Sequence, residues 1–254
     1  MADQMTIAMA GVRVGVTALH GGLRRLCAGY VEPEAEGAPA PDLSIEVTEA
    51  DIAAEREKST EGPWPDAYLE TLAVYRRVAE WAPLHGLMLV HGAVIEYAGR
   101  GYMFCAASGT GKSTHISLWH RFLGDAVQVV NGDKPLVRVP AEAGAPAVAY
   151  GTPWCGKEGW QRDVGVPLAG ICLLDRAPEG GSSIRRLSPG EALDHMILQA
   201  YLPQGAEAAG RTLELLDGLL TRTPLHALSV DMSEDAVRTS FEGVTGERYP
   251  GSVG

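Results

Sequence analysis

A glycine-rich stretch, residues 106–114 (AASGTGKST), lies between the apolar run 102–105 and a segment of helical pattern. In a strand–turn–helix order, the N–H groups of the turn converge on one point, and the helix adds the positive end of its dipole. An anion, above all the phosphates of a nucleotide, is the ligand that such a turn holds. We therefore predict an α/β chain whose glycine loop (residues 106–114) binds a nucleotide; a coincidental glycine-rich turn is the alternative.

Each residue type in the glycine loop has a predicted role. Lys112 is expected to reach the β- and γ-phosphates, and the Ser113 hydroxyl to bind Mg²⁺. Ala106 stands where the pattern asks for glycine, and it is tolerated there if its φ is negative. The predicted nucleotide-binding residues are Ser108, Gly109, Thr110, Gly111, Lys112, Ser113 and Thr114.

Composition excludes several classes of protein. The 254 residues are 46% hydrophobic and 21% charged, as in soluble globular proteins, and the net charge of −11 argues against a nucleic-acid partner. The chain has no signal-peptide pattern and no apolar run of about 18 residues, so no membrane partner is expected. The four cysteines are widely spaced, which predicts free thiols and a cytoplasmic protein.

Periodicity predicts the order of the elements. Apolar residues alternate on both sides of Gly11, which indicates a hairpin over 5–19. A helical segment over 23–30, a strand over 43–47 and a helix over 66–82 follow. The remaining predicted strands are 87–97, 102–105, 126–130, 135–139, 166–174 and 224–230, and the remaining helices are 115–123, 192–202, 206–220 and 235–244. The predicted domains are an N-terminal strand and helix portion, 1–65, and a larger domain, 66–254.

Two residues lie at equal distances along the chain from Lys112. Asp133 directly follows the apolar strand 126–130, where a carboxylate would bind magnesium or accept the proton of a substrate hydroxyl; ordinary turn chemistry is the alternative. His91 precedes Lys112 by as many residues as Asp133 follows it. A neutral imidazole there would orient a phosphate oxygen or relay a proton, or it is a satisfied structural residue.

The segment 151–162 (GTPWCGKEGWQR) is neither helix nor strand by pattern. It concentrates two tryptophans and several charges between strands, as loops that line a ligand pocket often do; an exposed turn with packed tryptophans is the alternative. Lys157 and Arg162 are the predicted ligands of a phosphate or a substrate carboxylate, and Lys134 joins them as a substrate-binding residue.

Three motifs together resemble a known family. They are SGTGKSTH at 108–115, DKP at 133–135 and GTPWCGK at 151–157. With His91 they look like the C-terminal kinase domain of HPr kinase/phosphorylase, and more closely like compact HPr-kinase-like proteins. The resemblance covers about residues 68–177. It differs in two places: HPr kinases have two adjacent aspartates where this chain has Gly132 and Asp133, and commonly Glu where it has Thr114.

The resemblance implies a mixed-sheet P-loop fold of the HPr kinase and phosphoenolpyruvate-carboxykinase-like type, with a small N-terminal α+β portion. It also implies an ATP-dependent, Mg²⁺-dependent kinase acting on a hydroxyl of a small molecule or on a peptide serine. His91 and Lys112 would then be catalytic, Asp133 would be the base and a metal ligand, and Ser113 would be the second metal ligand. A homo-oligomer is left open. The alternative is a nucleotide-binding sensor or scaffold whose catalytic set has decayed, which Gly132 favours.

Overall fold

The computed structural model describes residues 2–59, 62–177 and 181–251, which form two β-sheets and seven α-helices. The strands are β1 (Asp3–Met9), β2 (Val12–Ala18), β3 (Leu43–Glu46), β4 (Leu87–Leu89), β5 (Ala93–Tyr97), β6 (Arg100–Cys105), β7 (Val127–Asn131), β8 (Leu136–Arg138), β9 (Val148–Tyr150), β10 (Gly165–Arg176), β11 (Ser183–Leu187) and β12 (Leu225–Val230). The helices are α1 (Gly22–Leu26), α2 (Glu49–Lys58), α3 (Asp66–Trp81), α4 (Lys112–Leu123), α5 (Pro189–Ile197), α6 (Ala206–Arg222) and α7 (Glu234–Thr245). The predicted α/β class with a mixed sheet is confirmed.

The N-terminal sheet is a hairpin with one added strand. β1 and β2 pair antiparallel around Ala10 and Gly11, which both have positive φ, and β3 adds parallel to β2. The alternation seen in the sequence buries one face, since Ile7 and Val14 are fully buried. That face shares a core with Leu69 of α3. The predicted hairpin is thereby confirmed; the domain boundary at residue 65 stays a prediction, and α3, which follows it, packs on α1 and α2.

The larger sheet has nine strands, and β10 is shared by its two parts. The first residues of β10, from Gly165 to Pro167, pair with β9, which continues through β8 to β4. Farther along, β10 lies between β6 and β12, and β5, β7 and β11 complete that part. β6, β10 and β12 are parallel, β5 is antiparallel to β6, and β7 is antiparallel to β5. The ends of β6 and β7 and the start of β5 therefore lie at one edge of the sheet.

Helices cover both faces of this sheet. Tyr102 and Phe104 of β6 face α4 and α7, where Trp119 and Phe241 are fully buried. The alternate residues of β6 face α5 and α6 and share a core with Met196. Because both faces are covered, β6 is buried from its second residue to its last, and it carries the glycine loop on a rigid strand.

Three element boundaries differ from the predictions. The strand predicted over 87–97 is broken into β4 and β5, because the amides of Val90 and His91 leave the ladder and bond to Pro135 and Gln199. Ser188 does begin a helix through the predicted capping box with Glu191, but α5 ends at Ile197 instead of 202. The segment predicted as helical over 23–30 is helical only to Leu26.

Two further observations concern the whole described chain. All four cysteines are free and buried, as predicted, namely Cys27, Cys105, Cys155 and Cys172. Over residues 2–59, 62–177 and 181–251, none of the helices combines the length and the apolar character that crossing a membrane requires.

Candidate functional site

Three strand ends bring distant residues together at one edge of the larger sheet. Ala93 of β5 pairs with Phe104 of β6, and Val94 pairs with Asn131 of β7. The chain before β5 carries His91, the chain after β6 carries the glycine loop, and the chain after β7 carries Asp133. Topology thus places the three predicted parts of the site side by side.

The glycine loop has the backbone that an anion cradle needs. Gly109 and Gly111 have φ of 78° and 120°, and a Cβ on either would touch nothing within 4 Å, so positive φ alone requires glycine there. Ala106 is not among the residues with positive φ in the described chain, which satisfies the condition for an alanine at this position. Gly111 begins α4 without a side-chain cap, and the first turn of α4 has no acidic residue. The N–H groups of this turn therefore remain available to a ligand.

Arg176, at the end of β10, holds the loop from the adjacent strand. Its guanidinium donates to the carbonyl oxygens of Gly109, at 2.7 Å, and Thr110, at 3.2 Å. The loop itself is accessible, since Ser108, Gly109 and Thr114 are exposed. Two carbonyl groups are thus satisfied by a protein donor, while the accessible side of the loop stays open.

Lys112 is a buried cation at the start of α4. It is only 8% exposed, and its Nζ lies 3.0 Å from Nε2 of His91. Burial lowers its pKa, and the negative charge of Asp133 opposes that shift. Among the described residues Lys112 makes no ion pair with a carboxylate. Because buried lysines are rare unless paired, this ammonium is poised for an anionic ligand at the loop.

His91 connects the two halves of the site. Its Nε2 lies 3.2 Å from Oδ1 of Asp133, and its Nδ1 lies 3.1 Å from the side-chain amide of Gln199. With its nitrogen towards the ring, the Gln199 amide also donates to the carbonyl oxygens of Ala106 and His91, so this orientation satisfies all of its neighbours. Nδ1 is then an acceptor, Nε2 carries the proton, and His91 donates to Asp133. Because an ammonium has only donors, the contact between Nζ of Lys112 and this protonated Nε2 is a close approach and not a hydrogen bond.

Asp133 is held ionised. Burial favours the neutral acid, but hydrogen bonds from His91 and Lys134, together with the positive charge of Lys134, hold the pKa of Asp133 well below its usual range. The turn chemistry expected here is performed by Asn131, whose Oδ1 accepts the amide N–H groups of Asp133 and Lys134. Asn131 also donates to Thr152 at 3.0 Å, which fixes the turn to the segment 151–162.

Gly132 is required by that segment. A Cβ at Gly132 would lie 2.8 Å from the carbonyl oxygen of Cys155, closer than any real Cβ contact. The segment crosses the end of β7 through a bridge from Asn131 to Gln161, and the amide of Gly132 donates to Trp160. This backbone arrangement therefore has no room for the second aspartate of HPr kinases.

The predicted substrate ligands lie in different places. Arg162 makes an ion pair with Glu96 on β5, at 2.8 Å. Lys134 makes an ion pair with Asp133, and Lys157 is exposed. Lys134 and Lys157, but not Arg162, line a cavity of about 700 Å³ that opens against Asp133. A second cavity, of about 410 Å³, lies beside the glycine loop and the end of β10.

Three further residues of this edge are not among the predicted site residues. Gln199 and Arg176 carry no local signal, because each acts through contacts with distant segments. Asp175 had one: it ends the apolar run 171–174 of β10, the strand next to β6, and it lines the cavity beside the glycine loop. A carboxylate at the end of a strand parallel to the loop-bearing strand is a common magnesium-site position.

Few side chains of this edge could bind a divalent cation. Over residues 2–59, 62–177 and 181–251, no group of three or more His, Cys, Asp or Glu side chains lies close enough together to hold a metal ion. Mg²⁺ needs few protein ligands, since it keeps several waters and takes oxygen from substrate phosphates. Ser113 and Asp133 offer a hydroxyl and a carboxylate, which is the donor chemistry of such a sparse site, and their role as Mg²⁺ ligands stays a prediction.

Comparison with known proteins gives a remote structural similarity alone. No protein-family model matches the chain, and no curated protein matches it. Among solved structures, the HPr(Ser) kinase/phosphatase from Coxiella burnetii is similar over 53% of this chain and 88% of its own chain, with 14% sequence identity and a TM-score of 0.26. Similarity this remote says nothing about the chemistry of the site.

Proposed function

We propose that this protein is an ATP-dependent phosphotransferase that transfers a phosphoryl group to a hydroxyl of a small molecule or of a peptide serine. The observation that carries the proposal is the buried ammonium of Lys112 at the start of α4, whose Nζ lies 3.0 Å from the same nitrogen of His91 that donates to the ionised carboxylate of Asp133. A cation for phosphate and a carboxylate for a hydroxyl thus both lie beside one imidazole nitrogen. A binding site for phosphate alone has no need of the second half.

On the nucleotide side, the glycine loop and Lys112 form the phosphate-binding site. The N–H groups of the glycine loop and of the first turn of α4 bind phosphate oxygens, and Lys112 neutralises the charge that they share. A magnesium ion held by Ser113 and Asp133 would neutralise further charge on the phosphates. The cavity beside the glycine loop is the space we assign to the remainder of the nucleotide.

On the acceptor side, Asp133 orients the hydroxyl. The oxygen of the acceptor hydroxyl attacks the γ-phosphorus of ATP. The bond between the γ-phosphorus and the bridging oxygen breaks, so that ADP leaves, and the hydroxyl proton passes to the Asp133 carboxylate. A carboxylate with so low a pKa is a weak base, but in a loose transition state the proton moves late and positioning matters more. Lys134 must move aside, because it occupies the second oxygen of Asp133.

The test is an Asp133→Asn variant with a small-molecule and peptide panel, ATP and Mg²⁺. We expect the variant to bind nucleotide as the parent does, while the gain of one phosphate, followed by mass spectrometry, falls roughly a hundredfold or more. Asp163→Asn, which changes a carboxylate outside the site, is the matched control. Unchanged phosphate transfer by Asp133→Asn would refute the assignment of the base.

A second function is favoured by one observation. Gly132 leaves no room for a second carboxylate, and both oxygens of Asp133 already face hydrogen-bond donors, His91 and Lys134. A protein that senses a nucleotide without using it would have these properties. It is distinguished by tight ATP binding with no ADP formed across the whole acceptor panel.

A further inference from the structure

The cavity against Asp133 has an unusual wall for a surface of this protein. α1 and α3 form one side of it, and residues 133–134 and 153–157 form the other. Four aromatic rings line the space, in two pairs: Trp64 with Tyr68, and Tyr75 with Trp154. A volume of about 700 Å³ falls within the range that holds a small molecule.

The outer pair of rings, Trp64 and Tyr68, is exposed to solvent. Trp64 and Tyr68 are 40% and 44% exposed, and their ring centroids are 5.0 Å apart. The inner pair, Tyr75 and Trp154, has centroids 5.5 Å apart and is largely buried. Rings that reach from the core to the open mouth of a cavity offer flat apolar surface to a flat apolar ligand.

The charge of the cavity opposes the charge of the whole chain. Its lining has three cationic side chains, Arg25, Lys134 and Lys157, and one carboxylate, Asp133. Lys134 is paired with Asp133. Arg25 and Lys157 are exposed and, within the described part of the chain, have no carboxylate partner. In a protein with net charge −11, two unpaired cations at the mouth of one cavity mark a place for an anionic group.

We propose that this cavity binds the phosphoryl acceptor, a small alcohol with an aromatic body and an anionic group. The inference rests on the proposed phosphotransferase function and names its substrate class. The hydroxyl lies at Asp133, the aromatic body lies between the two pairs of rings, and the anionic group lies at Lys157 and Arg25. The hydroxyl of this alcohol takes the γ-phosphoryl group of ATP, ADP leaves, and the hydroxyl proton passes to Asp133.

The test measures binding in the absence of nucleotide. Ligand-observed NMR titrations with the full chain compare 3-phenyllactate with its neutral amide, which lacks the charge, and with lactate, which lacks the ring. We expect 3-phenyllactate to bind roughly tenfold more tightly than lactate and a few-fold more tightly than the amide, with the second difference lost at high salt. Equal binding of the three probes, or no binding of any of them, overturns the proposal.

Variants on the surface of the cavity locate that binding. Trp64→Ala should weaken 3-phenyllactate roughly tenfold, and Lys157→Gln a few-fold while leaving the amide unchanged. Met232→Ala and Arg248→Gln remove an exposed apolar side chain and an exposed cation elsewhere, and should leave binding unchanged. If Trp64→Ala and Lys157→Gln bind 3-phenyllactate with the affinity of the parent, the proposal is overturned, even though the probe binds.

The experiments distinguish a wrong acceptor class from a wrong phosphotransferase function. If ATP is consumed with other alcohols and 3-phenyllactate does not bind, the acceptor class is wrong and the function stands. If 3-phenyllactate binds in the cavity and neither it nor any other alcohol is phosphorylated, the binding site stands and its role as an acceptor site is overturned together with the phosphotransferase function.

Discussion

The glycine loop and the carboxylate region of the site are built in different ways. The loop is one contiguous stretch between β6 and α4, and its shape depends on two glycines with positive φ. The carboxylate region is assembled from His91, the turn 131–134, the segment 151–162 and Gln199. The first is a property of local sequence, and the second exists only when distant segments have packed.

What holds each region in place also differs. α4 anchors the loop by burying Ile116 and Trp119 in the core beneath the sheet. In the carboxylate region, Asn131 accepts the amide N–H of Asp133 and donates to the carbonyl oxygen of Thr152, and the Thr152 hydroxyl donates to the carbonyl oxygen of Lys134 at 2.7 Å. These bonds fix the turn. Changes in the loop should therefore affect nucleotide binding, whereas changes in the carboxylate region should affect stability or phosphoryl transfer.

The largest effect is expected from introducing an aspartate at Gly132. Gly132→Asp places a Cβ 2.8 Å from the carbonyl oxygen of Cys155, so the segment 151–162 must shift. We expect a loss of about 4 kcal/mol in the free energy of unfolding, since the substitution overpacks a buried position and adds a charge there. Urea denaturation measures it.

The control for that experiment is another glycine substitution. A Cβ at Gly210, inside α6, meets nothing within 4 Å, and Gly210→Ala should be neutral or stabilising. A Gly132→Asp protein as stable as the parent, with higher phosphate transfer, would show that the carboxylate region adapts as freely as a loop.

A pH effect should report the anchoring of α4. His115 is 2% exposed, its Nε2 accepts from Trp119 at 3.2 Å, and burial lowers its pKa to about 4, from 6.5 for an exposed imidazole. Between pH 6.5 and 4, His115 binds a proton in the unfolded chain and stays neutral in the folded chain. The free energy of unfolding therefore falls as the pH falls. Between pH 6.5 and 4 we expect His115 to contribute a loss of about 3 kcal/mol in the free energy of unfolding.

Denaturation at a series of pH values measures this loss. His115→Gln keeps a polar side chain without titrating and should flatten the curve, whereas His120→Gln, at an exposed position, should leave it unchanged. An identical pH dependence in His115→Gln and the parent would show that another group causes the loss.

The next effect separates binding from stability in the loop. Lys112→Ala removes a buried ammonium that has no carboxylate partner among the residues that the structure describes, so folding loses little and phosphate binding loses a charge-assisted hydrogen bond. We expect nucleotide affinity to fall roughly a hundredfold in a fluorescent-nucleotide titration. Lys157→Ala, at the acceptor cavity, is the matched control and should bind nucleotide normally. Equal affinities of the two variants would mean that Lys112 does not contact phosphate.

The same contrast explains what the sequence could predict. The glycine loop, the hairpin at Gly11 and the capping box at Ser188 are encoded within a few residues, and the structure has each where it was expected. The break between β4 and β5 carries no local signal, because it depends on bonds to Pro135 and Gln199.

Side-chain partners were the least predictable part. Arg162 stays a predicted ligand of an anion, and the structure adds its ion pair with Glu96, a strand residue that no local pattern connects with it. Gly132 looked like a lost carboxylate, and the structure shows instead a close approach of Cys155. Sequence patterns locate residues along the chain, but the meaning of Arg162 and Gly132 comes from what lies opposite them in the fold.

The smallest effect, and the one that tests the carboxylate region most sharply, comes from Gln199. Its amide lies 3.1 Å from Nδ1 of His91 across 108 residues of chain, and it sets which ring nitrogen carries the proton. Gln199→Leu should lower kcat roughly tenfold and leave the KM for nucleotide unchanged, because His91 no longer donates reliably to Asp133. Gln199→Glu should be slower still, since a carboxylate draws the proton to Nδ1 and turns Nε2 into an acceptor facing Lys112. Nitrogen-15 NMR of the His91 ring would show the exchange of protonated nitrogens in Gln199→Glu. Parent-like ring shifts and rates in both variants would mean that the carboxylate region, like the glycine loop, needs no distant partner.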